Sequence, residues 1–458
     1  MKKYDVIIVG AGPSGIFTAL ELVKRDKIDV LMLDKGRSLN DRLHSIRASA
    51  LDNRSVSSRL FGWGGAGAFS DGKLNLSPEV GGFLDRYLND RSLIELIKYV
   101  DKSYLDHGAT TKVYGADSET LSKIKGDAAR YNLKLIETKI RHMGTDKCPG
   151  VLENFRETLK EKVEIKFDVS VSEVIVKDSK VKGVKTKGNK RYYADCVVLA
   201  PGRGGAEWLD KQSKKLGINS HINPVDIGVR VEVPAVTLSH ITDIIYEPKL
   251  LYRSKYFDDK IRTFCMNPYG EVIAEVIDGI YTVNGHSYSE KKSDNTNFAL
   301  LVSTSFTKPF NEPVSYGKYI ARLANFLGDG VIVQRLGDLL KGRRSTDDRI
   351  KKGIVVPTLK DATPGDLSFV LPYRYLVDIL EMLESLDRFA PGINSGHTLL
   401  YGVEVKFYSL RPHLSKSLET EITNLFTVGD GAGVSRGLVQ ASVSGVIAAR
   451  EILKRIKN

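Results

Sequence analysis

The sequence is poor in cysteine and in long apolar runs, and each scarcity removes a class of protein. Its three cysteines, Cys148, Cys196 and Cys265, lie far apart in 458 residues with no C-x-x-C. That spacing supports neither a disulfide framework nor a redox dithiol, and a reducing cytoplasm is the expected location. No apolar stretch approaches the roughly 20 residues a membrane-crossing helix needs, so no stable membrane insertion is expected. None of the eight histidines stands in H-x-x-x-H or another ligand spacing, and no metal is assigned. There is no internal repeat and no second G-x-G-x-x-G set behind an apolar strand run (Gly62, Gly64 and Gly67 have the spacing but no such run before them), which argues against a dedicated NAD(P)H domain. The formal charge is +12, but the basic residues are spread thinly. Their densest cluster, Lys341-Gly-Arg343-Arg344, has no nucleic-acid motif beside it. A solvated lysine-rich surface is expected and no nucleic-acid partner. Met1-Lys2-Lys3 followed by apolar residues superficially resembles a secretory signal. Asp5 interrupts it and the apolar run soon meets glycine, so a first strand is expected instead.

What is present is concentrated at the two ends. Val6–Val9 is an apolar run suited to a strand buried in a parallel sheet. Gly10, Gly12 and Gly15 follow with G-x-G-x-x-G spacing, embracing Pro13 and Ser14. In that pattern the first glycine makes the tight turn and the second admits a pyrophosphate. The third lets the helix pack on the strand. The helix expected over 14–24 aims its N-terminal N–H groups at the phosphates. A second strand, Asp29–Leu33, ends at Asp34, placed to hold ribose hydroxyls, with Lys35 beside it. At the other end, Leu425–Val428 reads as a strand delivering Gly429-Asp430, with Gly433 behind it and a long helix expected over 438–456. Asp430 is placed to accept from a ribityl hydroxyl, and the helix N-terminus, with Arg436 and Gly437 beside it, to face the N1/O2 edge of a flavin. A helix carries about half a positive charge there, which favours charge accumulating on that edge. The first pattern alone indicates a dinucleotide; the two together indicate FAD.

Between the ends lies an unusual loop from Phe61 to Leu74 with glycines at 62, 64, 65, 67 and 72. Trp63, Phe69 and Leu74 are interleaved with them, unlike a Ser-rich flexible linker. Backbone this free of side chains lies flat against a ligand, so Gly64, Gly65, Ala66 and Gly67 are candidate cofactor contacts. Residues 91–140 read as mostly helical, and a helix is expected near 151–162. Strands are expected over 164–167, 171–177, 181–187 and 190–193. A final strand, 196–200, ends in Pro201-Gly202, whose glycine turn is expected close to FAD. The chain length admits two domains. The expected division is an FAD-binding domain in three parts (1–90, 163–234 and 396–458), a helical segment at 91–162 and an inserted substrate domain at 235–395.

The chain resembles the FAD-dependent dehydrogenases within the glutathione-reductase-like flavoprotein superfamily. The resemblance is carried by GWGGAGAFSDGKL (62–74), RHMGTD (141–146), IGVRVEVP (227–234), RTFCMNP (262–268), NGHSYSE (284–290), QRLGDLLKGRRST (334–346), LLYGVEVKFYS (399–409) and LFTVGDGAGVSRGLVQASVSG (425–445). These segments run in order from end to end. The resemblance implies an α/β fold: an FAD-binding Rossmann-type domain with an inserted α+β substrate domain, FAD as cofactor and a dehydrogenase or reductase activity. There is one departure. The family commonly has C-M-C-P where this chain has Cys265-Met-Asn267-Pro, so a dithiol mechanism is not supported.

Candidate catalytic groups are Lys73 in the glycine-rich loop, the alternating pair Glu404 and Lys406, and His286 with Tyr288. Lys73 would neutralise reduced flavin or an anionic substrate, or merely cap a turn. Glu404 and Lys406 share one face of a strand, as a proton-donor pair or as a strand salt bridge. Arg230 and Arg436 are suited to carboxylate or phosphate. The reading these residues lead to is an FAD-dependent oxidoreductase. It moves hydride between flavin N5 and a small organic substrate, with NAD(P)H as a transient donor. Two alternatives stay beside it: a geranylgeranyl-reductase-like enzyme acting on prenyl C=C bonds, and a non-enzymatic flavin redox sensor. The first needs a long apolar tunnel, for which the mixed texture of 235–390 gives little support. The inserted domain argues against the second. An aromatic monooxygenase is disfavoured because the closing motif lacks the proline that follows Gly-Asp-Ala in that group.

Overall fold

The computed structural model describes residues 2–48, 60–221, 223–277, 279–288, 291–304, 306, 309–310, 312–406 and 411–456. The chain forms two compact units. The first comprises residues 1–112, 141–223 and 408–458, and the second 113–140 and 224–407.

The first unit is built on strand β1 (Lys3–Val9), helix α1 (Pro13–Leu22), strand β2 (Val30–Leu33) and helix α2 (Leu39–Ala48). Strand β3 (Arg191–Leu199) lies parallel to β1 on its other side, with Ile7 opposite both Leu31 and Val197. Val163–Lys166 extends the sheet beyond β2, and Leu425–Thr427 pairs with β3 in parallel. An antiparallel meander, Val171–Lys177 and Lys180–Thr186, joins at β3. The central residues Val6, Ile7, Ile8, Leu31, Met32, Val197 and Val198 are fully buried, as both-sided helix cover requires of a parallel sheet. Helix α3 (Leu438–Arg455) packs along α1 so closely that a Cβ on Gly445 would lie 2.1 Å from the Ser14 carbonyl oxygen. Two strands expected separately, over 190–193 and 196–200, are the single strand β3. Its Ala194 and Cys196 alternate into the core with Tyr192.

The second unit holds an eight-stranded sheet. At its centre strand β4 (Val225–Pro234) runs antiparallel to β5 (Asn295–Thr304) and β6 (Leu399–Lys406). Ile227, Val229, Val231 and Val233 point to an apolar face shared with Phe298, Leu300 and Val302 and with helix Tyr373–Phe389. The alternate residues of β4, Asp226, Arg230 and Glu232, are equally buried on the other face. The two-stranded hairpin Glu271–Ile277 and Ile280–His286 belongs to this unit.

The expected domain limits shift accordingly. Val225–Pro234 and Leu399–Lys406, expected in the FAD domain, are the central strands β4 and β6 of the second unit, and a sheet's middle cannot be divided between domains. The helical segment 91–162 is also divided. Asp90–Asp106 and Cys148–Leu159 stay with the first unit, while Ser118–Arg130 and the short strand Lys134–Ile136 belong to the second.

Candidate cofactor and active site

The N-terminal glycines are fixed by backbone proximity. Gly10 has φ +112°, and a Cβ there would sit 2.0 Å from the Ala200 carbonyl oxygen. A Cβ on Gly15 would sit 2.0 Å from the Gly10 carbonyl oxygen, so only glycine lets α1 rest on its own strand. Gly12 is the N-cap of α1, with Pro13 in its first turn and no capping side chain. Ser14 is buried beside it, its carbonyl accepting from the Thr18 hydroxyl at 2.8 Å.

Asp34 and Arg42 fasten the glycine-rich loop. Asp34 Oδ2 accepts from the Ala11 N–H (2.7 Å), and Oδ1 accepts from the N–H groups of Gly36 (2.7 Å) and Gly62 (2.8 Å). The carboxylate expected to hold a ribose thus first ties three loops together. Arg42, which sequence reasoning missed, has no exposed surface and donates to the Trp63 carbonyl and to the Gly65 carbonyl at 2.8 Å. Burial lowers its pKa to about 10, against the attraction of Asp34. Only its place on α2, one helix after Asp34, hinted at this role. Trp63 anchors the loop through Nε1 to the Leu152 carbonyl at 2.8 Å. Gly64 donates to the Ala11 carbonyl at 2.8 Å, and Gly65 begins a 3-10 turn running through Ala66 and Gly67 to Phe69. Pro13, Gly64, Gly67, Met143, Cys148 and Leu438 line a small apolar cavity beneath it. Lys35 places its ammonium 3.3 Å from the centre of the Phe61 ring.

The closing segment meets the same region of the first unit. Gly429 (φ +77°) would press a Cβ to 2.5 Å from the Ser14 hydroxyl, which brings the second motif onto the first. A Cβ on Gly431 would lie 2.5 Å from the Gly202 carbonyl oxygen, so the two glycine turns touch. Gly202 itself has φ +62° and open space where a Cβ would be. Asp430 accepts from the Ser435 hydroxyl at 2.6 Å and lies 3.9 Å from Arg203 Nε. Burial raises its pKa, opposed by Arg203, Ser435 and Arg436. Gly433 (φ +66°) turns the chain into α3, whose N-cap Gly437 has no capping side chain. The guanidinium of Arg436 stacks on Phe83, 4.3 Å from the ring centre.

These residues fit an FAD. Both α1 and α3 open on glycines without a side-chain cap, which leaves N–H donors of the kind that bind a pyrophosphate and a flavin's pyrimidine edge. Asp34 and Asp430 supply acceptors for hydroxyls on either side, and the open face of Gly202 gives a ring room to approach.

The catalytic candidates fall in separate units. Lys73 is in the first, mostly buried, its Nζ 2.8 Å from Asp71 Oδ2. Glu404, Lys406 and His286 are in the second. Glu404 has no exposed surface, and its carboxylate meets Arg230 Nε at 2.8 Å, Arg230 Nη2 at 3.0 Å and Lys406 Nζ at 2.9 Å. Burial alone would raise its pKa, but Arg230 and Lys406 hold it below the usual value. A carboxylate so held is a poor proton donor, and the strand salt bridge is the arrangement found. Arg230 also donates to Asn297 Oδ1 (2.7 Å), the Cys265 carbonyl (3.1 Å) and Asn284 Oδ1 (3.4 Å). Asn267, where the resembling family has its second cysteine, donates to the Cys265 carbonyl at 2.9 Å and to Asn297 Oδ1 at 3.3 Å. It completes the polar network instead of a thiol pair. His286 ends its hairpin strand opposite Glu271, half-buried. Tyr288 lies beyond that strand, and the ends of two resembling segments, 289–290 and 407–409, lie outside the described residues. Among the described residues no cluster of His, Cys, Asp or Glu could hold a metal, and no helix is long and apolar enough to cross a membrane.

Comparison with known proteins agrees with this geometry. Residues 3–59 match the family model described as an FAD binding domain, and residues 224–407 match the FAD-dependent protein, C-terminal domain-like family. An "Uncharacterized protein" of Clostridium beijerinckii is 29% identical over 481 residues, covering 99% of this chain and 81% of that one. Among solved structures, L-proline dehydrogenase from P. horikoshii aligns over 99% of this chain and 94% of its own, with TM-score 0.42 and 13% identity. Glycine oxidase from Geobacillus kaustophilus aligns over 99% and 95%, with TM-score 0.42 and 13% identity. Through its two matched segments the chain is an FAD-dependent protein of mixed α/β fold, with FAD as its cofactor.

Proposed function

We propose that the protein transfers hydride between flavin N5 and a small organic substrate, with NAD(P)H binding transiently as the donor. The observation that carries this reading is the meeting of two uncapped helix starts, α1 at Gly12 and α3 at Gly437, in one unit with Asp34 and Asp430. FAD, when bound, supplies the two-electron chemistry there. The α1 terminus binds the pyrophosphate, and Asp34 and Asp430 orient the sugar and ribityl chains by accepting from their hydroxyls. The α3 terminus holds positive potential at the flavin's pyrimidine edge. Lys73, in the glycine-rich loop, pairs its Nζ with Asp71 and offers positive charge to an anionic reactant. With no second G-x-G-x-x-G set between a strand and a helix (the spacing at Gly62, Gly64 and Gly67 runs into a 3-10 turn), the nucleotide donor has no Rossmann domain of its own and shares the substrate's access to the flavin. The protein works in the cytoplasm on a small molecule, with no nucleic-acid partner.

The test is anaerobic stopped-flow absorbance of the purified holoprotein after addition of NADH or NADPH. Rapid bleaching of the flavin's visible band is the expected result. Flavin that ignores both nucleotides overturns the NAD(P)H step and points to a dehydrogenase reduced by its own substrate or to a redox sensor. Protein without bound flavin overturns the whole reading.

A further inference from the structure

Three arginines gather round one aromatic ring in the first unit. The guanidinium carbons of Arg436, Arg86 and Arg411 lie 4.3, 4.8 and 5.7 Å from the centre of the Phe83 ring. They come from three separate stretches of chain. Phe83 is fastened to the approach to α3, its N–H donating to the Val434 carbonyl at 2.9 Å while the Arg436 N–H donates to the Gly81 carbonyl at 2.7 Å. Arg411 comes from a short strand, Arg411–Pro412, paired with Ser220–His221. Arg86 projects from the 3-10 turn Leu84–Arg86 and is exposed.

Among the described residues little negative charge faces Arg86 and Arg411. Asp85 is exposed, and Asp430 directs one oxygen at Ser435 and the other at Arg203. Arg411 is only partly buried, yet its Nη1 is closed to solvent and has no hydrogen-bond partner among the described residues. A buried donor left this way is destabilising unless something else accepts from it. Burial and then the neighbouring charge of Arg86 lower the pKa of Arg411. An oxyanion between the arginines removes both penalties, and the planar guanidinium fork matches a carboxylate or phosphoryl group in two-point hydrogen bonding. The cluster adjoins the α3 start, whose unpaired N–H groups attract the same charge.

We propose that Arg86, Arg411 and Arg436 around Phe83 form the anchoring site for the oxyanion head group, carboxylate or phosphoryl, of the substrate. The inference rests on the hydride-transfer reading above and adds to it that the substrate is an organic acid or a phosphate ester.

The test is titration of the FAD-loaded protein with succinate, acetate and inorganic phosphate at constant ionic strength, with chloride as the control. Binding is read from the flavin absorbance and from the melting temperature. The site predicts saturable binding of at least one oxyanion, and which of them binds tighter tells carboxylate from phosphoryl. Arg411→Gln is expected to weaken that binding by about tenfold or more, as loss of a charge-assisted bond does. Arg86→Gln, an exposed position, is expected to weaken it several-fold if Arg411→Gln fails to fold. No saturable effect beyond chloride, or unchanged affinity in the Arg86 and Arg411 variants, overturns the site. So does loss of FAD from both variants with no change in anion affinity, since the arginines would then serve the cofactor. Flavin content measured in the same samples keeps failure of this site distinct from failure of the flavoenzyme reading.

Discussion

Arg230 and Glu404 meet as a two-point ion pair with no solvent exposure on either side chain, Nε to Oε2 at 2.8 Å and Nη2 to Oε1 at 3.0 Å. A buried pair of this kind is costly to break and far less costly to replace whole, because removing one partner leaves a charge alone in a low-dielectric interior. Glu404→Gln is therefore expected to destabilise the protein by about 3–5 kcal/mol. The double change Arg230→Met with Glu404→Leu is expected to cost clearly less than the sum of its parts. Urea unfolding of Glu404→Gln checks the first figure, and that of Arg230→Met, Glu404→Leu and the double variant gives the comparison. Additive losses would show that the two side chains act separately.

Asp34 holds three N–H groups, those of Ala11, Gly36 and Gly62. Asp34→Ala removes every one of these acceptors, and each donor left unsatisfied costs about 1–3 kcal/mol. The variant is expected to unfold several degrees lower and to lose FAD on gel filtration. Asp34→Asn keeps one oxygen and should fall between. A variant that kept full FAD and the parental melting temperature would remove Asp34 from the site.

The sequence made these contacts legible to different degrees. The role of Gly15 was readable because its need is local: spacing alone puts it against the Gly10 carbonyl one turn back. Gly10 was readable as the tight turn but not as the residue that admits the distant Ala200 carbonyl. The partners of Asp34 were not readable. They include Gly62, 28 residues further on, and nothing in a strand-end aspartate distinguishes a ribose from a loop amide. Arg42 was invisible for the same reason, since an arginine on a polar helix reads as solvated until the Gly65 carbonyl arrives. The limits of the second unit were misplaced because β4 and β6 alternate apolar and polar residues as any half-buried strand does. Their polar residues face a network of Asn267, Asn284 and Asn297 drawn from three other strands. Glu404 and Lys406 were rightly put on one face, but spacing along one strand does not reveal the Arg230 opposite.

Two glycine-to-alanine changes are expected to act in opposite directions. A Cβ on Gly445 would lie 2.1 Å from the Ser14 carbonyl oxygen and 2.9 Å from Thr18 Oγ1, so Gly445→Ala must push α3 away from α1. A loss above about 2 kcal/mol is expected, in the range of overpacked cores. Gly126, inside helix Ser118–Arg130, has no atom within 4 Å of a built Cβ. Gly126→Ala is expected to stabilise by about 0.4–1 kcal/mol, through the smaller freedom of the unfolded chain. Chemical denaturation of both variants checks the pair, and a stabilised Gly445→Ala would contradict the helix contact.

Asp378 carries the clearest pH signature. It lies on helix Tyr373–Phe389 with no exposed surface, and burial raises its pKa from 3.8 to about 6, helped by Asp259 and opposed by Ser254 and Arg374. A carboxyl whose folded pKa lies above its unfolded value binds its proton more tightly when folded. The stability it contributes is complete below pH 3.8 and is lost as pH rises through about 6. Asp378→Asn removes the titration and keeps the shape. The variant is expected to match the parent near pH 4 and to exceed it above pH 7 by an amount on the order of 3 kcal/mol. Denaturation midpoints measured across that range decide the matter. A gap independent of pH would mean that Asp378 keeps an ordinary carboxylate pKa in the folded protein, and that its burial is relieved by a partner other than the proton.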